Sequence, residues 1–223
     1  MHEPEVVRLL GVQWPVLDHR SARARLERLG WAMCGEGDWA YAYRSPSGRL
    51  LARVGPFEPA YGYFVELCRR CAANRYVPQV ELATQLEGGG HLAVLEHLSP
   101  PGRELVETFL RHWAHAEEAD ADLRALRHEV DRMDEWGRQN VRWWGGVDIG
   151  ERHVLLSTDG NPKLIDLFFL AGRDLIRDLL DDPRAFLRDV PPHQRRYILD
   201  TPHFDADDRR RIRAALAGVA SGQ

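Results

Sequence analysis

Three short stretches of this chain carry residue types that could do chemistry. The first is Gly35-Glu36-Gly37-Asp38-Trp39-Ala40, a glycine-rich turn between two apolar segments. Glycine in such a turn lets backbone amides approach phosphate oxygens without interference from a Cβ. A tight hairpin makes the same demand, so the turn alone does not decide between the two. The second stretch is Asp148-Ile149-Gly150-Glu151-Arg152-His153, which precedes the apolar Val154-Leu155-Leu156. The third, Leu164-Ile165-Asp166-Leu167-Phe168, follows across a turn, so that Asp148 and Asp166 bracket a short hairpin. Taken singly, each aspartate also has a structural reading, as a turn cap or as a buried strand residue paired with an arginine. His112 and His115 lie a helical turn apart without a third ligand and read as a solvated helix face. Cys68 and Cys71 form a C-x-x-C with no second pair, which reads as reduced thiols on a helix.

The surrounding pattern predicts the elements that must position these residues. Asp18 to Leu29 is a short amphipathic helix, capped by Asp18 or Ser21 and stopped by Gly30. Trp31 to Cys34 and Trp39 to Tyr43 are strands about the turn Gly35 to Asp38, and Leu50 to Val54 is a third strand. Ala60 to Asn74 is helical, because Tyr61, Phe64, Val65, Cys68 and Ala72 fall at i, i+3, i+4 spacing. Val77 to Leu86 and His91 to Glu96 are two more strands, joined by Glu87-Gly88-Gly89-Gly90. Beyond Ser99-Pro100-Pro101-Gly102 the pattern turns helical. Arg103 to Gln139 forms two helices that end at Trp143-Trp144-Gly145-Gly146. Val154 to Leu156 and Lys163 to Leu167 are short apolar segments joined by a turn. Helices follow over Asp174 to Leu180, Pro183 to Val190, Pro192 to Asp200 and Ala206 to Val219. A β-rich part before a helical part predicts an α+β chain of two lobes, residues 1–98 and 99–223, joined near Glu96 to Gly102.

The order of glycine turn, strand, helix, two strands, hinge, helices, Asp loop, hairpin and second Asp is similar to that of the protein-kinase-like superfamily. That group includes an aminoglycoside-phosphotransferase-like branch and the very short kinases among bacterial effectors. The resemblance covers roughly Trp31 to Phe169 and implies a minimal kinase-like fold that moves the γ-phosphate of ATP to a hydroxyl with Mg2+ or Mn2+. By position, Gly35 and Gly37 would cover the ATP phosphates. Arg53 stands where the family's third strand has its phosphate-gripping lysine, and Glu66 where that lysine's carboxylate partner belongs. Glu96 to Leu98 would be the hinge that receives adenine through backbone groups. Asp148 would orient or deprotonate the acceptor hydroxyl, and Asp166 would hold the metal. His153, five residues after Asp148, takes the place of the second metal ligand. The acceptor implied is a protein hydroxyl, with a small molecule of the antibiotic type as the alternative. A pseudokinase that uses the same cleft to recognise or regulate a partner is the competing expectation, and transfer of the nucleotide itself a third.

The departures from the family pattern are specific. The only lysine in the chain is Lys163, so Arg53 has no lysine substitute, and a planar guanidinium does not reach the same atoms as an ammonium. His153 replaces asparagine, and magnesium prefers oxygen; manganese, no metal, or a hydrogen bond to phosphate are all open. Ala40 stands for a third glycine, Gly146-Val147 precede Asp148, and Leu167-Phe168 follow Asp166. There is no A-P-E sequence and no long loop after Asp166, so an ordinary activation segment is not expected.

At 223 residues, with 44% apolar and 29% charged side chains, the chain can bury a substantial core. A net charge of −4 and a pI near 6.2 argue against a nucleic-acid partner. Glu3 and Glu5 without a long apolar stretch argue against a signal peptide, and no run is apolar enough to span a membrane. The expected location is the cytoplasm, or a host cell if the protein is a delivered effector.

Overall fold

The structure, a computed structural model, describes residues 4–57 and 59–220; Glu3 lies outside the described residues. Strands β1 (Ala32–Glu36), β2 (Tyr41–Arg44), β3 (Leu50–Gly55), β4 (Val80–Gln85) and β5 (His91–Glu96) form an antiparallel sheet in the order β1-β2-β3-β5-β4. The period of two along a strand sorts its faces. Leu50, Ala52 and Val54 of β3, with Leu92 and Val94 of β5, pack under helices α1 (Pro4–Leu10) and α2 (His19–Arg28). The intervening Leu51 and Arg53 turn to the opposite face, where the cleft lies. α2 starts where the sequence predicts, because the Asp18 carboxylate accepts the Ser21 amide at 2.7 Å. α1 carries no strong sequence signal, yet it buries Val6 and Leu9.

Between β3 and β4 runs α3 (Tyr61–Arg70), with Tyr61, Phe64, Val65 and Cys68 on its buried face. It ends four residues short of the predicted Asn74, where the chain turns and Asn74 donates its amide to the Cys71 carbonyl at 2.7 Å. Ala72 is therefore exposed rather than part of the apolar face. The glycine turn also differs from expectation. Gly35 and Glu36 belong to β1, and the reversal is at residues 37–40, closed by the Gly37 amide on the Ala40 carbonyl at 2.9 Å.

The second half is mainly helical: α4 (Arg103–Ala114), α5 (Ala121–Asn140), α6 (Gly172–Asp181), α7 (Pro183–Asp189), α8 (Pro192–Arg195) and α9 (Ala206–Ala220). Asp120 caps α5 by accepting the amides of Asp122 and Leu123, and it also accepts the Tyr76 hydroxyl at 2.5 Å. Burial works against its ionisation, but the hydrogen bonds from Tyr76, Leu123 and Arg75 outweigh it and hold the carboxyl at about 2. Two small antiparallel pairs sit between α5 and α6. β7 (Val154–Leu156) pairs with β8 (Pro162–Leu164), and β6 (Trp144–Val147) pairs with β9 (Phe168–Leu170). The sequence shows the first pair, although β8 stops at Leu164 rather than Leu167; of the second, β6 falls on the predicted end of the helical region and β9 lies just beyond the predicted segment. No described helix is long and apolar enough to cross a membrane.

One core spans both halves, joining Phe64, Val65 and Leu95 to Phe109, Leu126, Val130 and Leu164. Another seats Phe57 and Ala60, between β3 and α3, among Leu175, Phe186, Phe204 and Ile212. Residues 191–204 then return to the sheet. Arg196 reaches Glu87 at 2.6 Å, and Arg20 and His19 meet Asp200 at 2.6 and 3.2 Å. Gly89, at φ +94, allows this approach, because a Cβ there would overlap the Gln194 carbonyl. Gly89→Ala is expected to lower stability by about 2–3 kcal/mol. Gly62→Ala, on α3 with nothing within 4 Å, is expected to leave it unchanged or slightly higher. Thermal and urea unfolding of the two variants checks this contrast.

Candidate active site

Asp148 directly follows β6, and Asp166 precedes β9 by two residues. The pairing of these strands, with Val147 opposite Phe168, brings the two aspartates to the same edge. The Asp148 amide then donates to the Leu167 carbonyl at 2.9 Å, and the Ile165 amide to the His153 carbonyl at 2.9 Å. Asp166 itself has φ +50. Aspartate enters that left-handed region more readily than most residues, but the conformation still carries strain and is typical of functional positions. The two carboxylates are 41% and 42% exposed. Both line one cavity of about 700 Å³, together with Gly35, Gly37, Arg53 and Arg173.

The glycine turn roofs this cavity. Gly35 and Gly37 need no positive φ, and a Cβ on either would meet nothing closer than 3.7 and 3.9 Å. The backbone itself does not demand glycine at either place. A side chain there would crowd the cavity rather than the protein. The tip of the turn is docked on the helical half: the His203 amide donates to the Asp38 carbonyl at 2.6 Å, and the Trp39 and His203 rings stack at 5.4 Å.

Arg53 reaches into the cleft from β3. Its Nε lies 3.7 Å from Asp166 Oδ1, and its guanidinium carbon sits 3.9 Å above the Tyr61 ring. The expected pair with Glu66 does not form. Glu66 instead bonds Arg70 at 2.7 Å, its neighbour one turn along α3. A carboxylate that does face Arg53, Asp166, comes from the other wall of the cleft.

His153 also stands differently from a second metal ligand. It is buried, its Nε2 accepts from Arg152 Nε at 3.2 Å, and that same Nε2 lies 3.8 Å from Asp148 Oδ2. Its Nδ1 is buried with no hydrogen-bond partner. Arg152 donates to the same Asp148 oxygen at 3.3 Å. No group of three His, Cys, Asp or Glu side chains suited to a metal occurs among the described residues. This covers Cys68 and Cys71, and burial pushes the Cys68 thiol up, away from reactivity.

Towards Glu96 and Leu98 the cleft narrows to an apolar slot lined by Leu51, Leu95, Leu98, Leu155 and Ile165. The amides flanking Leu98 are used: His97 donates to Arg49 and Ser99 to Leu156, at 2.7 and 2.8 Å. The Leu98 amide has no backbone acceptor among the described residues. Glu96 accepts the Gln79 amide at 2.8 Å and lies 3.4 Å from Lys163 Nζ, which donates to the Val77 carbonyl at 3.0 Å. The sole lysine thus fastens the β7–β8 hairpin to the slot's rim. The sequence gives Lys163, Arg173 and His203 no place in the site and puts Tyr61 only on the apolar face of its helix. Only Arg152 was visible, inside the Asp148 loop.

No family model and no curated protein matches the chain. Among solved structures it is similar to WaaP in complex with acyl carrier protein, at 16% identity over 91% of this chain and 88% of that one, TM-score 0.35. It is also similar to an aminoglycoside-3'-phosphotransferase of type VIII, at 18% identity over 92% of each chain, TM-score 0.34.

The docked glycine turn gives a local expectation. Trp39→Ala removes the stack on His203, so amide hydrogen exchange at residues 37–40 should rise by about tenfold while that of β3 and β5 stays unchanged.

Proposed function

We propose that this chain is a kinase-like phosphotransferase that moves the γ-phosphate of ATP to a hydroxyl. The observation that carries the reading is the placement of Asp148 and Asp166 on one cavity, fixed side by side by the Asp148–Leu167 hydrogen bond. Adenine fits the apolar slot, where the Leu98 amide and the Glu96 backbone can pair with its edge. The phosphates then lie under Gly35 and Gly37, within reach of Arg53. Asp148 orients the acceptor hydroxyl and takes its proton. Arg152 donates to Asp148 Oδ2 and sets the direction of that carboxylate.

A divalent cation suits Asp166, a half-exposed oxygen donor on the phosphate side of the cleft. Such an ion would neutralise charge on the transferred phosphate. His153 is assigned to Arg152 rather than to the metal: its Nε2 accepts from Arg152 Nε and steadies the guanidinium that donates to Asp148. On this reading residues 1–98 and 99–223 act as the two walls of the cleft. Only residues 167–171 separate Asp166 from α6, which leaves no platform for an extended peptide. A protein acceptor would present its hydroxyl from a folded surface.

One observation favours a second reading, a pseudokinase that binds a partner through the same cleft. Arg53 already sits beside Asp166, where the metal belongs. Calorimetry with ATP alone, with Mg2+ and with Mn2+ separates the two. Phosphotransferase function predicts metal-dependent binding that Asp166→Ala abolishes. Asp148→Asn should keep that binding and slow transfer by about 10²–10⁴-fold. ATP binding without transfer to any acceptor favours the pseudokinase, and no binding with either metal overturns both nucleotide readings.

A further inference from the structure

Arg53 is the residue whose identity fits the family pattern least, and its surroundings explain the exchange. The guanidinium carbon lies 3.9 Å above the centre of the Tyr61 ring. Tyr61 is 3% exposed and is the first residue of α3. Its ring is itself wedged, 5.5 Å from the Phe64 ring and 5.7 Å edge-on from that of His91. Arg53 and Tyr61 both line the inner slot, with Asp166 on the facing wall. An aromatic face fixes a flat guanidinium by cation–π attraction and stacking together, and holds its N–H groups in the plane of the ring face. An ammonium is also attracted to a ring face, but it has no plane of its own to stack and so is not held there in one orientation. Glu66 is committed to Arg70, and the cleft side of α3 offers Tyr61 instead.

We propose that Tyr61 is a positioning residue for Arg53: its ring does work expected of Glu66, and it makes arginine, not lysine, the side chain this cleft requires for gripping phosphate. The inference rests on the nucleotide-binding reading above for its functional part, while the positioning itself is testable without nucleotide. In this arrangement Arg53 presents its planar fork towards the phosphates when it swings from Asp166, and the stack limits that swing to the plane of the ring. Two N–H groups of one guanidinium can then address two phosphate oxygens at once.

The test uses the full chain with Tyr61→Phe, Tyr61→Leu and Arg53→Lys, and the double variant that joins the last two. In the nucleotide-free protein, the Arg53 side-chain N–H resonance should carry a ring-current shift that persists in Tyr61→Phe and vanishes in Tyr61→Leu. With ATP and Mg2+, Tyr61→Phe should bind within twofold of the original. Tyr61→Leu should bind about tenfold more weakly. Arg53→Lys, which keeps the charge, should lose a similar factor, and adding Tyr61→Leu to it should cost little more. Equal losses in Tyr61→Phe and Tyr61→Leu, or a full further loss in the double variant, would overturn the proposal. So would an unshifted Arg53 resonance. If the original chain binds no ATP while the resonance behaves as described, the nucleotide reading falls and the positioning by Tyr61 stands. Should Tyr61→Leu not fold, Arg53→Lys and Tyr61→Phe still decide the matter, because the first must weaken binding and the second must not.

Discussion

A single backbone hydrogen bond, from the Asp148 amide to the Leu167 carbonyl, sets the geometry on which the cleft depends. Each aspartate is on an irregular stretch of chain, and neither loop would hold its carboxylate in place alone. The short β6–β9 pair behind them converts two loops into the ends of neighbouring strands. A backbone bond in a partly dry site is worth only about 0.5–1.5 kcal/mol net, yet losing it would leave a buried donor unmet at greater cost. Its value lies in register. Sliding β9 by one residue would exchange the faces of Phe168 and Phe169 and move Asp166 out of step with Asp148.

The walls of the cleft are held by different means. The inner wall is apolar core continuous through both halves, from Leu95 to Leu164. The rim is polar: Lys163 with Glu96 at one end, Asp38 with the His203 amide at the other. Rigid packing at the base and hydrogen bonds at the edge let the cavity keep its shape while its mouth exchanges contents. The electrostatics follow the same division. Arg53 and Arg152 each stand against one of the two aspartates, so both carboxylates are paired rather than isolated. Such partly exposed pairs add little stability, and they rearrange at little cost.

Local signals in the sequence carried much of this. The Asp18 cap fixes α2, alternation fixes β3, and β5 and β7 fall on the residues where their apolar runs begin and end. Both aspartates of the site were visible because a hairpin separates them. What the sequence hid was non-local. Trp144–Val147 contains two glycines and lacks strand alternation, so only its partner β9 makes it a strand. Position along the chain suggested Glu66 as the partner of Arg53, but an i, i+4 neighbour on the same helix captured it. Stacking of Arg53 on Tyr61 depends on where α3 docks, which no spacing encodes.

The return of residues 191–204 to the sheet has a consequence for the order in which the molecule is built. Arg20 and Asp200 are 180 residues apart in sequence, and Glu87 and Arg196 are 109 apart. The strands of the sheet join nearer neighbours, whereas these contacts close far longer loops. Loop closure of that length is entropically expensive and is met late in folding. During synthesis the sheet, α3 and both aspartates can assemble before His203 has left the ribosome. The turn over the cavity therefore acquires its fastening late, only after His203 has emerged.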